Sequence, residues 1–386
     1  MQLNRRTADV SLSTTLALDA RAQELKAAGR DIVNMTAGQP DFPAPEAVQA
    51  KAQETVRGGN VRYTPAAGRL SLRKAIAAEL EATRGITYAP DEIVVCHSAK
   101  HALSGSFLSL VTPGDEVLLL LPAWVSYDEQ IRFAGGTPKG VRPRPDGGPD
   151  LDALRAAVTD KTRGMLLNSP CNPSGYVLTK AEVEALVALC EEHDLWIVSD
   201  EIYQRLIYEG EPNVSPAQVG GQDRTLIIDG ASKAYAMTGY RIGFVAGPQP
   251  IVAGIGRLHS QLTGCPNAIS QDAYEAALRE VPPELARMRA EFDQRRQLML
   301  EGLAQTGLSV PHPRGAFYVF VNVETLLDER GSAGFCEDLL EREGLAIGPG
   351  SAFGMDDYVR FSYAVAIEQC REALLRFQRF LGSLQA

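Results

Sequence analysis

The chain has 386 residues, of which 45% are apolar and 22% charged, which excludes disordered and fibrous classes and is long enough for one large unit plus a smaller one. Its formal net charge of −10 argues against nucleic acid and anionic membrane surfaces as partners, because both attract clustered Lys and Arg. Cysteines at 96, 171, 190, 265, 336 and 370 form no CxxC pair, and no signal-like segment is visible, so a reduced cytoplasm is expected. No apolar run approaches the roughly 20 residues that a membrane-spanning helix needs.

Along the chain, Leu16 to Ala28 reads as an amphipathic helix, followed by the loop Ala37-Gly38-Gln39-Pro40-Asp41-Phe42-Pro43. Residues 1–45 are too few for a domain of their own and read as an N-terminal arm. Six short apolar runs follow: Ile93 to Val95, Val117 to Leu121, Gly164 to Asn168, Trp196 to Ser199, Thr225 to Asp229 and Ile242 to Ala246. Their alternation with helical stretches predicts parallel strands in an α/β sheet, with ligands bound beyond the carboxyl ends of the strands. Val141 to Pro149 reads as a Pro/Gly-rich surface loop. The pattern changes at Val281-Pro282-Pro283, which places a boundary between a large unit over 46–280 and a smaller α+β unit over 281–386. The smaller unit contains a polar helix from Glu284 to Thr306, a strand over Ala316 to Val323 and a final helix from Glu368 to Leu384.

Several residues that carry chemistry stand directly after these strands. Lys233 lies among small residues in Gly230-Ala231-Ser232-Lys233-Ala234, where an amine can approach an aldehyde and form a Schiff base. Arg241, eight residues on, is placed to clamp a phosphate, although on local evidence Lys233 reads equally as a surface lysine and Arg241 as the partner of some carboxylate. Asp200 ends the strand Trp196 to Ser199, where a carboxylate can keep a pyridine nitrogen protonated or simply cap a turn. Asn172, in Asn168-Ser169-Pro170-Cys171-Asn172-Pro173, sits on a loop held by two X-Pro bonds that can present its amide to a ring hydroxyl. Ser98, Ala99 and Lys100 open a helix whose free amides suit a phosphate. Arg360, in Val359-Arg360-Phe361-Ser362-Tyr363, offers a fork for a carboxylate or a structural ion pair. His97 and His101 lack a third ligand nearby, so no metal is expected. Gly348-Pro349-Gly350 through Gly354 lacks the dinucleotide-binding spacing.

Taken in order, these motifs resemble the fold-type I aminotransferases dependent on pyridoxal 5'-phosphate (PLP), and within them the bacterial aspartate aminotransferase subgroup with its lysine motif SKAxAMTGxRIG. The resemblance runs from Thr36-Ala37-Gly38-Gln39-Pro40-Asp41-Phe42 to Arg360. It implies a large PLP-binding domain with a mostly parallel, seven-stranded sheet flanked by helices, a smaller α+β domain joined by the N-terminal arm, and a homodimer with shared active sites. Lys233 would hold the cofactor and shuttle a proton, Asp200 would hold the pyridine nitrogen, and Asn172 and Tyr203 the ring oxygen. Trp124 would stack on the ring and contact substrate. Ser98, Ala99, Lys100, Ser232, Arg241 and Tyr63 of the second subunit would hold the phosphate. Arg360, Gly38 and Asn172 would bind the substrate α-carboxylate.

By the same resemblance, Lys100, Ser13 and Thr15 would meet a distal carboxylate. The implied reaction is a ping-pong transfer of an amino group from aspartate or glutamate to a 2-oxo acid such as 2-oxoglutarate. Thr263-Gly264-Cys265-Pro266 departs from the Ser/Thr/Asn-rich segment usual in the family, which keeps aromatic or prephenate-type substrates open. A PLP-dependent lyase is the rival within the same chemistry, because the motifs around Lys233 do not separate the two fates.

Overall fold

The computed structural model describes residues 14–59 and 61–384. The first helix, α1 (Thr14–Ala27), leads into the short strand β1 (Val33–Asn34). Helices α2 (Glu46–Arg57) and α3 (Leu70–Arg84) come next, and α3 stops at Gly85, whose φ of 64° is the left-handed ending that glycine allows without strain.

Strands and helices then alternate: β2 (Ile93–Cys96), α4 (Ala99–Leu110), β3 (Glu116–Leu120), α5 (Val125–Ala134), β4 (Thr137–Val141), α6 (Leu151–Ala157), β5 (Thr162–Asn168), α7 (Lys180–Glu192), β6 (Trp196–Asp200), β7 (Thr225–Gly230) and β8 (Gly243–Ala246). Side chains cap α6 and α7. Asp150 accepts from the amide of Ala153 at the start of α6, and Thr179 forms a capping box with Glu182 at the start of α7. The strands make one seven-stranded sheet in the order β2-β8-β7-β6-β5-β3-β4, and the inner strands β7 and β8 are buried end to end, as sheets covered on both faces require.

Two expectations need correction. Ile242 to Ala246 was expected as a parallel strand, yet β8 runs antiparallel to both β2 and β7. Residues 231–242, which join it to β7, hold only a 3-10 turn at Thr238–Tyr240 and no crossover helix, so the chain folds back beside β7. Second, β4 forms the sheet edge beside β3, and Val141 is its last residue rather than the start of a loop. Its sequence, Thr-Pro-Lys-Gly-Val, carries no strand pattern, and Pro138 is tolerated because edge strands leave amides unpaired.

After α8 (Gln249–Leu262) and α9 (Ala268–Arg279), the long helix α10 (Glu284–Ala304) opens the C-terminal part. It is followed by β9 (Tyr318–Asn322), α11 (Gly331–Glu343), β10 (Leu345–Ala346), β11 (Gly348–Pro349), β12 (Tyr358–Ser362) and α12 (Ile367–Leu384). Strands β11, β12 and β9 form a three-stranded antiparallel sheet. The N-terminal segment is built into this part of the chain: β1 pairs with β10, Ser362 donates its amide to the Met35 carbonyl at 2.9 Å, and Arg21 meets Glu341 at 2.9 Å. Among the described residues, no helix is long and apolar enough to cross a membrane.

Candidate active site

The carboxyl ends of the parallel strands converge on one cavity of about 800 Å³. Each strand hands over to a candidate residue: β2 to Ser98, β3 to Trp124, β5 to Asn172, β6 to Asp200 itself, and β7 to Lys233. Gly38, Ser98, Ala99, Lys100, Trp124, Asn172, Asp200, Tyr203, Ser232, Lys233, Arg241 and Arg360 all line this cavity. A separate cavity beside Pro143 and Tyr176 measures about 40 Å³, too small for a cofactor-sized ligand.

Asp200 is buried, and Tyr127 donates its hydroxyl to Oδ2 at 2.8 Å while the Ile202 amide reaches Oδ1 at 3.2 Å. Burial raises the Asp200 carboxyl to about 6, against the hydrogen bonds that favour its charged form. Burial also lowers the Lys233 amine to about 8, helped by the positive charge of Arg241 and opposed by Asp200. The amine donates to the Gly38 carbonyl. An amine so lowered is partly neutral near neutral pH, the state in which it is nucleophilic.

The Ser98–Lys100 segment forms a cradle. Ser98 caps α4 through its hydroxyl and has a φ of 115°, while Arg241 has a φ of 51°; both lie in the left-handed region that side chains rarely adopt and that concentrates at functional sites. A Cβ on Gly243 would come within 2.5 Å of the Ala99 nitrogen, so only glycine lets β8 press against this turn. The first-turn amides of α4, the Ser232 hydroxyl and the Arg241 guanidinium thus face one cavity with donors suited to a phosphate. The Lys100 ammonium lies 4.7 Å from the Trp124 ring centroid, and burial together with Arg241 lowers its pKa.

Arg360 is buried on β12. Its guanidinium donates from Nη2 to the Thr36 carbonyl at 2.6 Å and from Nη1 to Asn172 Oδ1 at 3.1 Å, and it lies over the rings of Tyr318 and Phe353 at 4.7 and 4.8 Å. Its Nε is buried without a partner, and burial lowers its pKa. A buried cation held by neutral acceptors at the cavity wall has the charge and fork geometry to pair with a carboxylate.

Tyr63 is not part of this cavity: within the chain it is 99% exposed. Its loop packs on the Thr263–Pro266 turn, where the Thr64 amide donates to Cys265 Sγ at 3.4 Å. Ser13 lies outside the described residues, as does the side chain of Thr15. His97 and His101 gather with His259, the ring centroids lying 4.9, 5.6 and 5.7 Å apart, and burial lowers His259 to about 4. Among the described residues, no group of His, Cys, Asp and Glu is arranged to hold a metal.

Sequence reasoning missed Tyr127, Tyr318, Thr36 and Asp19, which also line the cavity. Tyr318 shares a 2.9 Å hydroxyl contact with the buried Tyr203, and Asp19 accepts from Thr36 at 3.0 Å and from Asn34 at 2.6 Å. The available signal was a tyrosine in an otherwise apolar strand, since a buried hydroxyl needs a partner.

Comparison with known proteins agrees with this geometry. The family described as Aminotransferase class I and II matches residues 30–377. The chain is 42% identical to an aspartate/prephenate aminotransferase of Thermus thermophilus, covering 98% of this chain and 99% of the relative. It is 39% identical to an aspartate aminotransferase of Bacillus subtilis, covering 99% of each. Among solved structures, the Thermus thermophilus aspartate aminotransferase with maleate superposes with a TM-score of 0.94 at 40% identity, covering 98% of this chain and 99% of that one. The aspartate aminotransferase of Rhizobium meliloti superposes with a TM-score of 0.95 at 35% identity, covering 99% of both.

Proposed function

This chain belongs to the class I and II aminotransferases and is a PLP-dependent enzyme of the aspartate aminotransferase subgroup; from that premise we propose that aspartate or glutamate is its amino donor and that a 2-oxo acid such as 2-oxoglutarate is its acceptor. The observation that carries this reading is the meeting, in one cavity, of a lysine lowered to about 8, a buried carboxylate and the separate cations Arg241 and Arg360. The lyase alternative is not favoured, because the relatives named above are aminotransferases.

When bound, PLP supplies an aldehyde for amines and a protonated ring that withdraws electrons from the substrate α-carbon. Lys233 Nζ would hold the cofactor aldehyde and, when free, would be the amine that carries the proton, a task suited to a pKa near working pH. Asp200 would keep the ring nitrogen protonated, and Tyr127 fixes its carboxylate. Tyr203, steadied by Tyr318, and Asn172 would orient the ring oxygen. Trp124 would cover the ring, and Ser98, Ala99, Lys100, Ser232 and Arg241, which line the same cavity, would anchor the phosphate. Arg360, with Asn172 and the Gly38 backbone, receives the α-carboxylate.

For the distal carboxylate, the Lys100 ammonium, which lies beside Trp124 on the cavity lining, is the proposed partner, with Ser13 and Thr15 proposed beside it. Tyr63 is proposed to complete the phosphate site of a second copy. Its near-complete exposure on a loop packed beside Thr263–Pro266 supports a homodimer with shared sites. The arm 1–45 is assigned to the small domain 281–386 and residues 46–280 to the PLP domain, a division supported by the β1–β10 pairing. Six free cysteines fit a cytoplasmic setting.

The test is to mix cofactor-loaded protein with single amino acids, without an oxo acid, and follow the visible absorbance of the bound cofactor. Bleaching with aspartate or glutamate is expected. Bleaching only with aromatic amino acids would overturn the donor, and ammonia release without bleaching would overturn transfer itself.

A further inference from the structure

Behind the sheet, on the face away from the cavity, the buried guanidinium of Arg84 reaches the ends of two neighbouring strands. Successive strand residues point to opposite faces, so where Asp200 faces the cavity, Glu201 turns toward α3. Arg84, the last residue of α3, hydrogen-bonds Asp229 Oδ2 from Nη2 at 2.5 Å and forms an ion pair with Glu201, whose Oε2 lies 2.9 Å from Nε without hydrogen-bond geometry. Glu79 lies at 3.6 Å from Nη1 and is itself paired with Arg205 at 2.8 Å.

Each carboxylate is also fixed to its own strand end. Ser199 donates to Glu201 Oε1 at 2.9 Å, and Asp229 Oδ1 accepts the Gly230 amide at 2.7 Å. Glu201 follows Asp200 directly, and Asp229 stands four residues before Lys233. The guanidinium is therefore a brace from the residue beside the ring-nitrogen carboxylate to the base of the lysine loop. Nothing else in the described mechanism uses these groups, and a buried charge set of this kind is a poor source of stability by itself.

We propose that Arg84 is a positioning residue for amino transfer: by tying Glu201 to Asp229 it sets the spacing between Asp200 and Lys233 across the cofactor. This rests on the aminotransferase reading above. Removing the brace lets β6 and β7 shift by up to about 1 Å, which leaves substrate binding intact and misplaces the proton-transferring amine. Misplacement on the order of 1 Å costs up to about a hundredfold in rate.

The experiment compares cofactor-loaded wild type with Arg84→Lys, which keeps the charge but cannot bridge both carboxylates, and with Asp229→Asn, which keeps the shape and frees the lysine-loop side alone. Three readouts are taken: kcat and KM for the donor, the pH midpoint of the bound cofactor's visible absorbance, and the melting temperature of the cofactor-free protein. Expected are a fall in kcat of roughly 10- to 100-fold with KM within about twofold, and a displaced midpoint, both smaller in Asp229→Asn. If Arg84→Lys does not fold, Asp229→Asn decides the matter alone. A lower melting temperature with kcat and midpoint at wild-type values would show a merely structural brace and overturn the proposal. A wild type whose absorbance responds to no amino acid would instead overturn the aminotransferase reading, and this inference with it.

Discussion

Replacing Arg360 with Met separates function from stability in a direction opposite to that of most buried substitutions. The guanidinium is buried, donates to two neutral acceptors, and keeps Nε without a partner. A carboxylate arriving there gains charge-assisted hydrogen bonds worth about 1.5–3 kcal/mol each. Losing about 3 kcal/mol of such contact corresponds to roughly 150-fold in kcat/KM. Because every amino acid carries the α-carboxylate, the loss is expected to be equal for aspartate, glutamate and aromatic donors. In the ligand-free protein, Met removes a buried charge and fills similar volume against Tyr318 and Phe353, while leaving the Thr36 carbonyl and Asn172 Oδ1 without that donor. These effects oppose each other, so stability is expected to stay within about 1 kcal/mol of wild type or to rise. Single-turnover absorbance with each donor measures the first quantity, and thermal unfolding of the cofactor-free protein the second. A loss confined to acidic donors, or a fold weakened by several kcal/mol, would refute the pairing of Arg360 with the α-carboxylate.

Lys233→Ala is expected to abolish turnover while the melting curve stays cooperative, so retained activity would remove the central residue of the mechanism. Lys100→Ala should penalise aspartate and glutamate selectively, and equal losses with aromatic donors would refute its specificity role. Tyr127→Phe deletes the 2.8 Å bond to Asp200, which should raise that carboxyl further above about 6 and lower kcat by roughly tenfold, read from a kcat–pH profile. The lowered lysine also gives a signed pH dependence. Because the folded amine titrates near 8 and the unfolded one near 10.5, the cofactor-free fold carries the burden of a charged Lys233 below about 8 and loses it as pH rises to 10.5. Lys233→Met should therefore melt higher than wild type at pH 7, with the gap closing across that window.

The division between sequence and tertiary structure follows from range. Local chemistry is written locally: the lysine among small residues, the acid ending β6, the Asn-Pro loop and the amides opening α4 all stand within a few residues of a strand end. A parallel sheet carries such positions to one edge, so the cavity was legible once the strands were. The edge strand β4 was not, because Thr-Pro-Lys-Gly-Val becomes a strand only through its neighbour β3, and the direction of β8 depended on the absence of a crossover helix between it and β7.

Partnerships across long sequence gaps were likewise decided by the fold alone. Tyr127 reaches Asp200 across 73 residues, Arg360 reaches Thr36 across 324, and Arg84 meets Asp229 across 145. No spacing rule encodes these contacts, since they arise when burial leaves a polar group no water and it must find whatever partner the packing supplies. The same burial sets the lysine near 8 and the aspartate near 6. Sequence alone thus determined which residues could do the chemistry, and only the packed interior decided how their protons and charges are held.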